Sequence, residues 1–259
     1  MGIVMNEYEW AERALSERSL GPKPVETLTR VSKYYAANQY PKREIRRLLD
    51  EFMLQCDPSV NLVSWSDLLD RLAKNSDRYD LIVLDKVSVT STELDIIKEL
   101  KGAQLRRLAF TLLCLAKYWD AVRRNNSHWV NTPDREIVQM ANINTSIKRQ
   151  SLLFGQLRDA GLIRFSRKVD NLSVQVLFID DESEPEIEVT DFRNLGFQYM
   201  MHYGAPYFVC ENCGLVTKMK DGNAESRPGR PQKYCPECAA TIGMRQRVNW
   251  VMQFRGMKS

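Results

Sequence analysis

The chain has 259 residues, 44% hydrophobic and 27% charged, with 37 Lys and Arg against 33 Asp and Glu and a formal net charge of +4. This is ordinary globular composition, which excludes a disordered or fibrous protein, and no apolar run reaches the length of a membrane span. The small total conceals a division: basic and acidic residues number 14 and 17 in 1–100, 13 and 5 in 101–179, 1 and 8 in 180–213, and 9 and 3 in 214–259.

The opening residues, MGIVMNEYEWAER, carry acidic side chains where a signal peptide would place its apolar stretch, so a cytoplasmic protein is expected. Helices are predicted over 1–76: EYEWAERALSE, VETLTRVSKYYAANQ, PKREIRRLLDEFMLQC and SWSDLLDRLAKN repeat apolar residues at three- and four-residue spacing. Breaks fall at Tyr40-Pro41 and Asp57-Pro58. The stretch ETLTRVSKYYAANQYPKREIRRLLDEFMLQCDP resembles a small helical module at the C-termini of some mobile-element primases. The acidic balance favours a helical interaction or dimerisation domain, making this region the expected seat of protein partners or homo-oligomer formation. LIVLDKVSVT alternates enough for a short hairpin or strand, and Thr90 with Glu93 predicts a capping box for STELDIIKELK. One helical module with a short hairpin is therefore expected over 1–100.

Residues 101–180 carry the most informative pattern. QLRRLAFTLLCLAKYWDAV places Leu105, Leu108, Ala109, Leu112, Ala116 and Trp119 at helical spacing, with Phe110, Leu113 and Leu115 on further faces, which predicts a helix buried on two sides. A short strand is expected at His128–Val130. A second helix then starts with Thr132 as N-cap and Pro133 at the first position. Thr145 or Ser146 caps a third, SIKRQSLLFGQLRDAG, which Gly161 closes. Two strands follow, joined at Val169–Asn171, the second with Leu172, Val174, Val176 and Phe178 alternating with Ser173, Gln175 and Leu177.

Three helices, a tight helix-helix turn and a terminal hairpin, with GQLRDAGLIRFSR spanning helix end and strand entry, resemble the winged helix-turn-helix family over 104–180. The resemblance implies that helix 146–160 is a recognition helix whose N-terminal residues enter a major groove. Lys148, Arg149 and Ser151 are then the candidate contacts, because Ile147, Leu153, Phe154 and Leu157 occupy the inward stripe. Arg164, Arg167 and Lys168 lie in the implied wing, where phosphate is commonly touched. The net +8 of this region tilts the expectation toward DNA.

An acidic connector, DDESEPEIEVTDF, is expected to be exposed within 181–207, with DFRNLGFQYMMHYG forming an aromatic-rich helix that docks the C-terminal module. The acidic strip is a candidate to cover a basic surface when DNA is absent. In 208–259, Cys210 and Cys213 form one pair and Cys235 and Cys238 a second. In an intracellular chain this spacing points to zinc: two thiolates separated by two residues turn toward one ion, and a second pair completes a tetrahedron. Gly214 lets the first knuckle turn back. The pairs resemble zinc knuckles of a treble-clef or ribbon site, and helical residues after Cys235 favour the treble clef. One structural Zn2+ is expected, since four thiolates leave no open position for catalysis. Arg230 and Lys233 in the intervening basic loop, and Arg245 and Arg247 on the last helix, complete the candidate nucleic-acid contacts.

Cys56 and Cys114 sit in apolar helical surroundings and are expected to be buried small hydrophobes. His128 and His202 have no partner at metal or triad spacing, and Asp67 and Asp70 lie on exposed helical positions. There is no P-loop, dinucleotide fingerprint or Ser/His/Asp arrangement, so no enzymatic function is expected. The expected fold is mainly α with small β elements: a helical N-terminal region, a winged helix-turn-helix and a four-cysteine zinc module. The layout resembles bacteriophage or mobile-element proteins acting in replication or transcription control. The expected function is DNA binding without catalysis. Two alternatives are an adaptor using the winged helix and zinc module to bind polymerase, replisome or host factors, and an RNA-binding zinc protein.

Overall fold

The apolar stripes of residues 7–74 meet as four helices, α1 (Glu7–Glu17), α2 (Pro24–Ala37), α3 (Lys42–Cys56) and α4 (Leu62–Lys74), in a computed structural model that describes residues 3–166, 173–219 and 232–256. Asn6 caps α1 and Asn61 caps α4 through their side-chain oxygens, while Pro24 opens α2 at a position where its missing N–H costs nothing. Leu28, Val31, Ile45, Leu49, Phe52, Met53 and Leu69 are buried together as the core of this unit.

A buried polar cluster closes the unit. Glu7 Oε1 accepts from Arg30 Nε at 3.3 Å, and its Oε2 accepts from Lys33 Nζ at 2.8 Å and from the Ile82 N–H at 3.1 Å. The Glu7 N–H donates to the Ile82 carbonyl, the Leu84 N–H donates to the Met5 carbonyl, and Asn6 bridges Val83. The beginning of LIVLDKVSVT therefore pairs with the N-terminal segment instead of folding back as a hairpin.

Its end does something different. Compact units divide after Lys86, and Val87–Thr90 forms strand β1 in the second, so the module expected over 1–100 ends earlier. The physical reason is strand pairing: β1 runs antiparallel to a strand from the acidic connector, labelled β5 below, with Val87 opposite Val189 and Val89 opposite Ile187. Helix α5 (Ser91–Glu99) follows under the expected capping box, with the Thr90 N–H donating to Glu93 Oε2 at 2.8 Å.

Glu93 is fully buried and serves more than the cap. Its Oε1 accepts from Lys117 Nζ at 2.9 Å and from the Asp180 N–H at 2.8 Å. Lys117 lies on α6 (Ala103–Arg123), whose middle turns are buried on every side from Leu108 to Ala116. The remaining elements are β2 (Trp129–Val130), α7 (Asp134–Met140), α8 (Ile147–Asp159), β3 (Ile163–Phe165), β4 (Val174–Val176), β5 (Pro185–Val189), α9 (Leu195–His202), β6 (Tyr207–Val209), β7 (Val216–Lys218) and α10 (Pro236–Gly256). Strands β2, β4 and β3 form one antiparallel sheet in that order. The chain is mainly helical with small antiparallel sheets, as its periodicities imply, and among the described residues no helix is long and apolar enough to cross a membrane.

Two local expectations are corrected. Thr132 does not cap α7: Pro133 stands at the N-cap, and the buried Thr132 hydroxyl instead accepts from Trp119 Nε1 at 3.2 Å. Ile147 does not face inward. It is the first residue of α8 and 80% exposed, while Leu153, Phe154 and Leu157, one to three turns further along the helix, make the buried stripe.

The acidic connector is part of the fold, since Val189 and Phe192 are buried and Phe192 packs its ring against Tyr118 at 5.2 Å. Helix α9 makes ring contacts on two sides: Tyr199 meets Phe110 of α6 at 5.3 Å, and Phe197 meets Tyr207 of β6 at 4.7 Å. Asn142 and Asn194, both at positive φ, share a side-chain hydrogen bond of 2.8 Å, and Asn194 Nδ2 donates to the Val216 carbonyl. At Gly196 the approach is so close that an added Cβ would lie 2.0 Å from the Ala141 carbonyl oxygen.

Two outcomes follow for the second unit. Gly196→Ala forces α9 off the α7 C-terminus and should destabilise by about 3 kcal/mol, read by denaturant titration of tryptophan fluorescence; an unchanged midpoint would refute this packing. Lys117→Met strands the buried Glu93 carboxylate and should cost about 3 kcal/mol in the same assay. A cost close to zero there would mean that Lys117 does not hold Glu93.

Candidate metal centre and basic surfaces

The first cysteine pair sits where the β6–β7 hairpin turns. Val209 pairs with Val216, and the Cys210 N–H donates to the Leu215 carbonyl at 3.0 Å. The Gly214 N–H returns to the Cys210 carbonyl at 2.9 Å, and Gly214 adopts φ +71°, the turn-back for which a glycine suits. The second pair opens a helix: Cys235 immediately precedes α10, Pro236 is its first residue, and Cys238 lies in its first turn. The Glu211 N–H donates to the Lys233 carbonyl at 2.9 Å, fastening the second segment beside the first knuckle.

These constraints bring the ligand atoms of Cys210, Cys213, Cys235 and Cys238 within 4.8 Å of one another. A tetrahedral ion with metal–sulfur bonds of ~2.3 Å requires sulfurs ~3.8 Å apart, and Cys213 Sγ lies 3.8 Å from Cys235 Sγ. Donors surround the cluster: the Cys235 N–H reaches Cys210 Sγ at 3.3 Å, the Cys238 N–H reaches Cys235 Sγ at 3.5 Å, and Asn212 Nδ2 reaches Cys238 Sγ at 3.2 Å. Burial raises the Cys210 thiol pKa, but backbone amides of Cys235, Cys213 and Asn212 outweigh it and bring the pKa down to about 6. Cys238 moves the other way, to about 12: the amide of Asn212 lowers it, but the thiols of Cys213 and Cys235 raise it further. Four thiolates this close cannot all ionise without a cation between them, so the arrangement could hold one metal ion.

The other cysteines behave as apolar side chains. Cys114 is fully buried and Cys56 half-buried, and burial raises both thiols. The histidines have carboxylate partners that spacing did not reveal: Asp120 Oδ2 lies 2.6 Å from His128 Nδ1, and Glu186 Oε1 lies 2.9 Å from His202 Nε2. His128 sits at positive φ in the turn after α6, where its backbone N–H also reaches Asp120, while His202 ends α9 beside β5. Both contacts arise from folding: one closes a turn, the other joins a helix to a strand.

Lys148, Arg149 and Ser151 are exposed on the first turns of α8, which Ser146 caps by accepting from the Arg149 N–H. Neither Lys148 nor Arg149 has a carboxylate partner among the described residues. Arg164 is exposed on β3 and bonds Gln175 of β4 across the sheet. Lys233 is exposed and pairs with Glu211 at 3.1 Å, and Arg245 and Arg247 are exposed on α10. Arg167, Lys168 and Arg230 lie outside the described residues. The acidic connector finds its partners locally: Asp181 pairs with Lys117, Glu186 with His202 and Asp191 with Arg193, so none of these covers Lys148 or Arg149. Asp67 and Asp70 are exposed, and Asp70 pairs with Arg46.

Cys235→Ser should reduce bound metal from about one equivalent per chain to near zero and make residues around the cluster sensitive to protease. Elemental analysis with limited proteolysis checks this; undiminished metal in the variant would remove Cys235 from the ligand set. Comparison with protein-family models, curated proteins and solved structures finds no match to this chain.

Proposed function

We propose that this is a zinc-containing DNA-binding protein without catalysis of its own, in which a winged helix-turn-helix built from α6 to β4 meets the duplex and the four-cysteine centre is structural. The observation carrying this reading is the face of α8. Lys148 and Arg149 are exposed without a carboxylate against either cation among the described residues, Ser151 is exposed beside them with its hydroxyl donating to the Ile147 carbonyl, and Leu153, Phe154 and Leu157 anchor the helix from behind. The element order helix, strand, helix, helix, strand, strand and the β2-β4-β3 sheet support the winged-helix assignment. A hairpin knuckle followed by a pair opening a helix supports a treble-clef site, and an all-thiolate donor set suits zinc. Phage or mobile-element replication or transcription control is the proposed setting.

Exposed apolar residues favour a second reading, a protein adaptor. Met244, Val248 and Val251 recur at helical spacing on the exposed part of α10, and Ile147 and Leu152 are exposed on α8. Salt separates the two, because phosphate contacts release counterions and protein contacts of apolar type do not.

Anisotropy titrations with duplex DNA captured from cells should show tight, salt-sensitive binding. Lys148→Ala/Arg149→Ala should weaken it at least tenfold and reduce the salt slope by about 2. If this variant and Arg245→Ala/Arg247→Ala both bind duplex as the parent does, DNA recognition by these surfaces is wrong; a preference for single-stranded RNA that Lys148→Ala/Arg149→Ala abolishes would transfer the reading to RNA. Elemental analysis should find about one zinc per chain, and iron in its place would correct the metal.

A further inference from the structure

The four-helix unit contains a cleft of ≈ 390 Å³. One wall is α2, with Thr29, Ser32 and Lys33; the other is α4 and the turn after it, with Arg71, Arg78 and Tyr79. No carboxylate lines it, although residues 1–86 hold 14 acidic side chains against 13 basic. The volume lies within the range of ligand-holding clefts.

The donors in this cleft differ in what they have free. The Thr29 hydroxyl donates to the Val25 carbonyl and the Ser32 hydroxyl to the Thr29 carbonyl, so both are used by their own helix. Lys33 is held by Glu7 and by the Asp80 carbonyl. Arg71 and Arg78 are exposed, and neither has a carboxylate partner among the described residues; Arg71 uses only Nε, toward the Asp67 carbonyl at 3.3 Å. Tyr79 is 65% exposed, and the Arg78 guanidinium lies 5.3 Å from its ring centre. Leu68 and Leu72 provide a half-buried apolar floor.

Two uncompensated guanidinium groups suit phosphate, which they can bind through paired hydrogen bonds. The exposed Tyr79 ring, with Arg78 against one face, and the leucines of the same lining suit the flat surface of a base, and the combination of cations with a stacking ring is the way single strands are held without sequence preference. We propose that the cleft between α2 and α4 binds single-stranded nucleic acid, with Arg71 and Arg78 on successive phosphates and a base stacked on Tyr79. An acidic peptide would engage the cations and leave Tyr79 without a role. This site belongs to the first unit and does not rest on the duplex-binding reading of α8.

The test titrates the full chain with fluorescein-labelled (dT)12 over a salt series. Arg71→Ala/Arg78→Ala should weaken binding at least tenfold and lower the salt slope by about 1.4, at ~0.7 for each of two phosphates on a single strand. Arg18→Ala/Arg43→Ala removes the same charge from exposed positions outside the cleft and should change affinity less than about twofold. Tyr79→Ala should weaken binding about tenfold while Tyr79→Phe retains it. The proposal is overturned if Arg71→Ala/Arg78→Ala binds (dT)12 as the parent does. It is also overturned if that variant loses polyglutamate binding and (dT)12 binding equally while Tyr79→Ala changes neither, which would make the cleft an acidic-peptide surface. Duplex affinity should be unaffected by the Arg71 and Arg78 changes and sensitive to Lys148 and Arg149, so failure of either site leaves the other standing.

Discussion

One carboxylate, Glu93, organises the second unit. It lies at the third position of α5, where its Oε2 takes the Thr90 N–H and its Oε1 takes Lys117 from α6 and the Asp180 N–H from the segment after β4. Glu93 is fully buried, and removing any one donor would leave charge or a lone pair without compensation in a medium that solvates it poorly. The geometry is therefore mutually enforcing: α5 cannot shift along α6, and the end of β4 cannot leave, without breaking a bond in a dry site. Pairing of β1 with β5 continues the same constraint, because Ser91 N–H also bonds the Glu184 carbonyl just before β5.

From that anchor the chain runs into α9, which transmits position from the α6–α8 region to the cysteine cluster. Tyr199 and Phe192 pack on α6, and Phe197 and Asn194 hold the β6–β7 hairpin. Arg193 adds a direct bond to the Cys213 carbonyl at 2.7 Å. The hairpin is short and its interior small, so most of its placement comes from these contacts and from whatever ion the four thiols take up. Closeness at Gly196 makes the bracket stiff: the helix backbone rests on the Ala141 carbonyl with no room for a side chain.

Charge follows the same logic of local closure. The acidic connector is net negative as a segment, but Lys117, His202 and Arg193 take up Asp181, Glu186 and Asp191 where they lie. What remains outward on α8 is Lys148 and Arg149. Segment totals hide such placement: residues 1–86 carry 13 basic and 14 acidic side chains, yet their cleft is lined by Lys33, Arg71 and Arg78 and by no carboxylate. A sum over residues erases the spacing between charges, and binding depends on the spacing.

Much was legible from local chemistry. Four N-terminal helices follow from apolar residues repeating at three and four, the Thr90–Glu93 box from two residue types at fixed offset, and the four-cysteine cluster from two pairs with Gly214 behind the first. The helices, the box and each cysteine pair are short-range features that the sequence holds, and the chemistry of four thiols joins the two pairs across the 21 residues between them. Tertiary structure decided the rest. Only folding brings β1 to β5 and so ends the first unit at Lys86, turns Ile147 outward, gives Thr132 to Trp119 instead of α7, and supplies His128 and His202 with carboxylates. Each of these depends on which surface arrives beside a residue. A four-residue strand or a single exposed side chain has no periodicity that names its partner, whereas a helix or a cysteine knuckle carries its partner within one or two turns of its own chain.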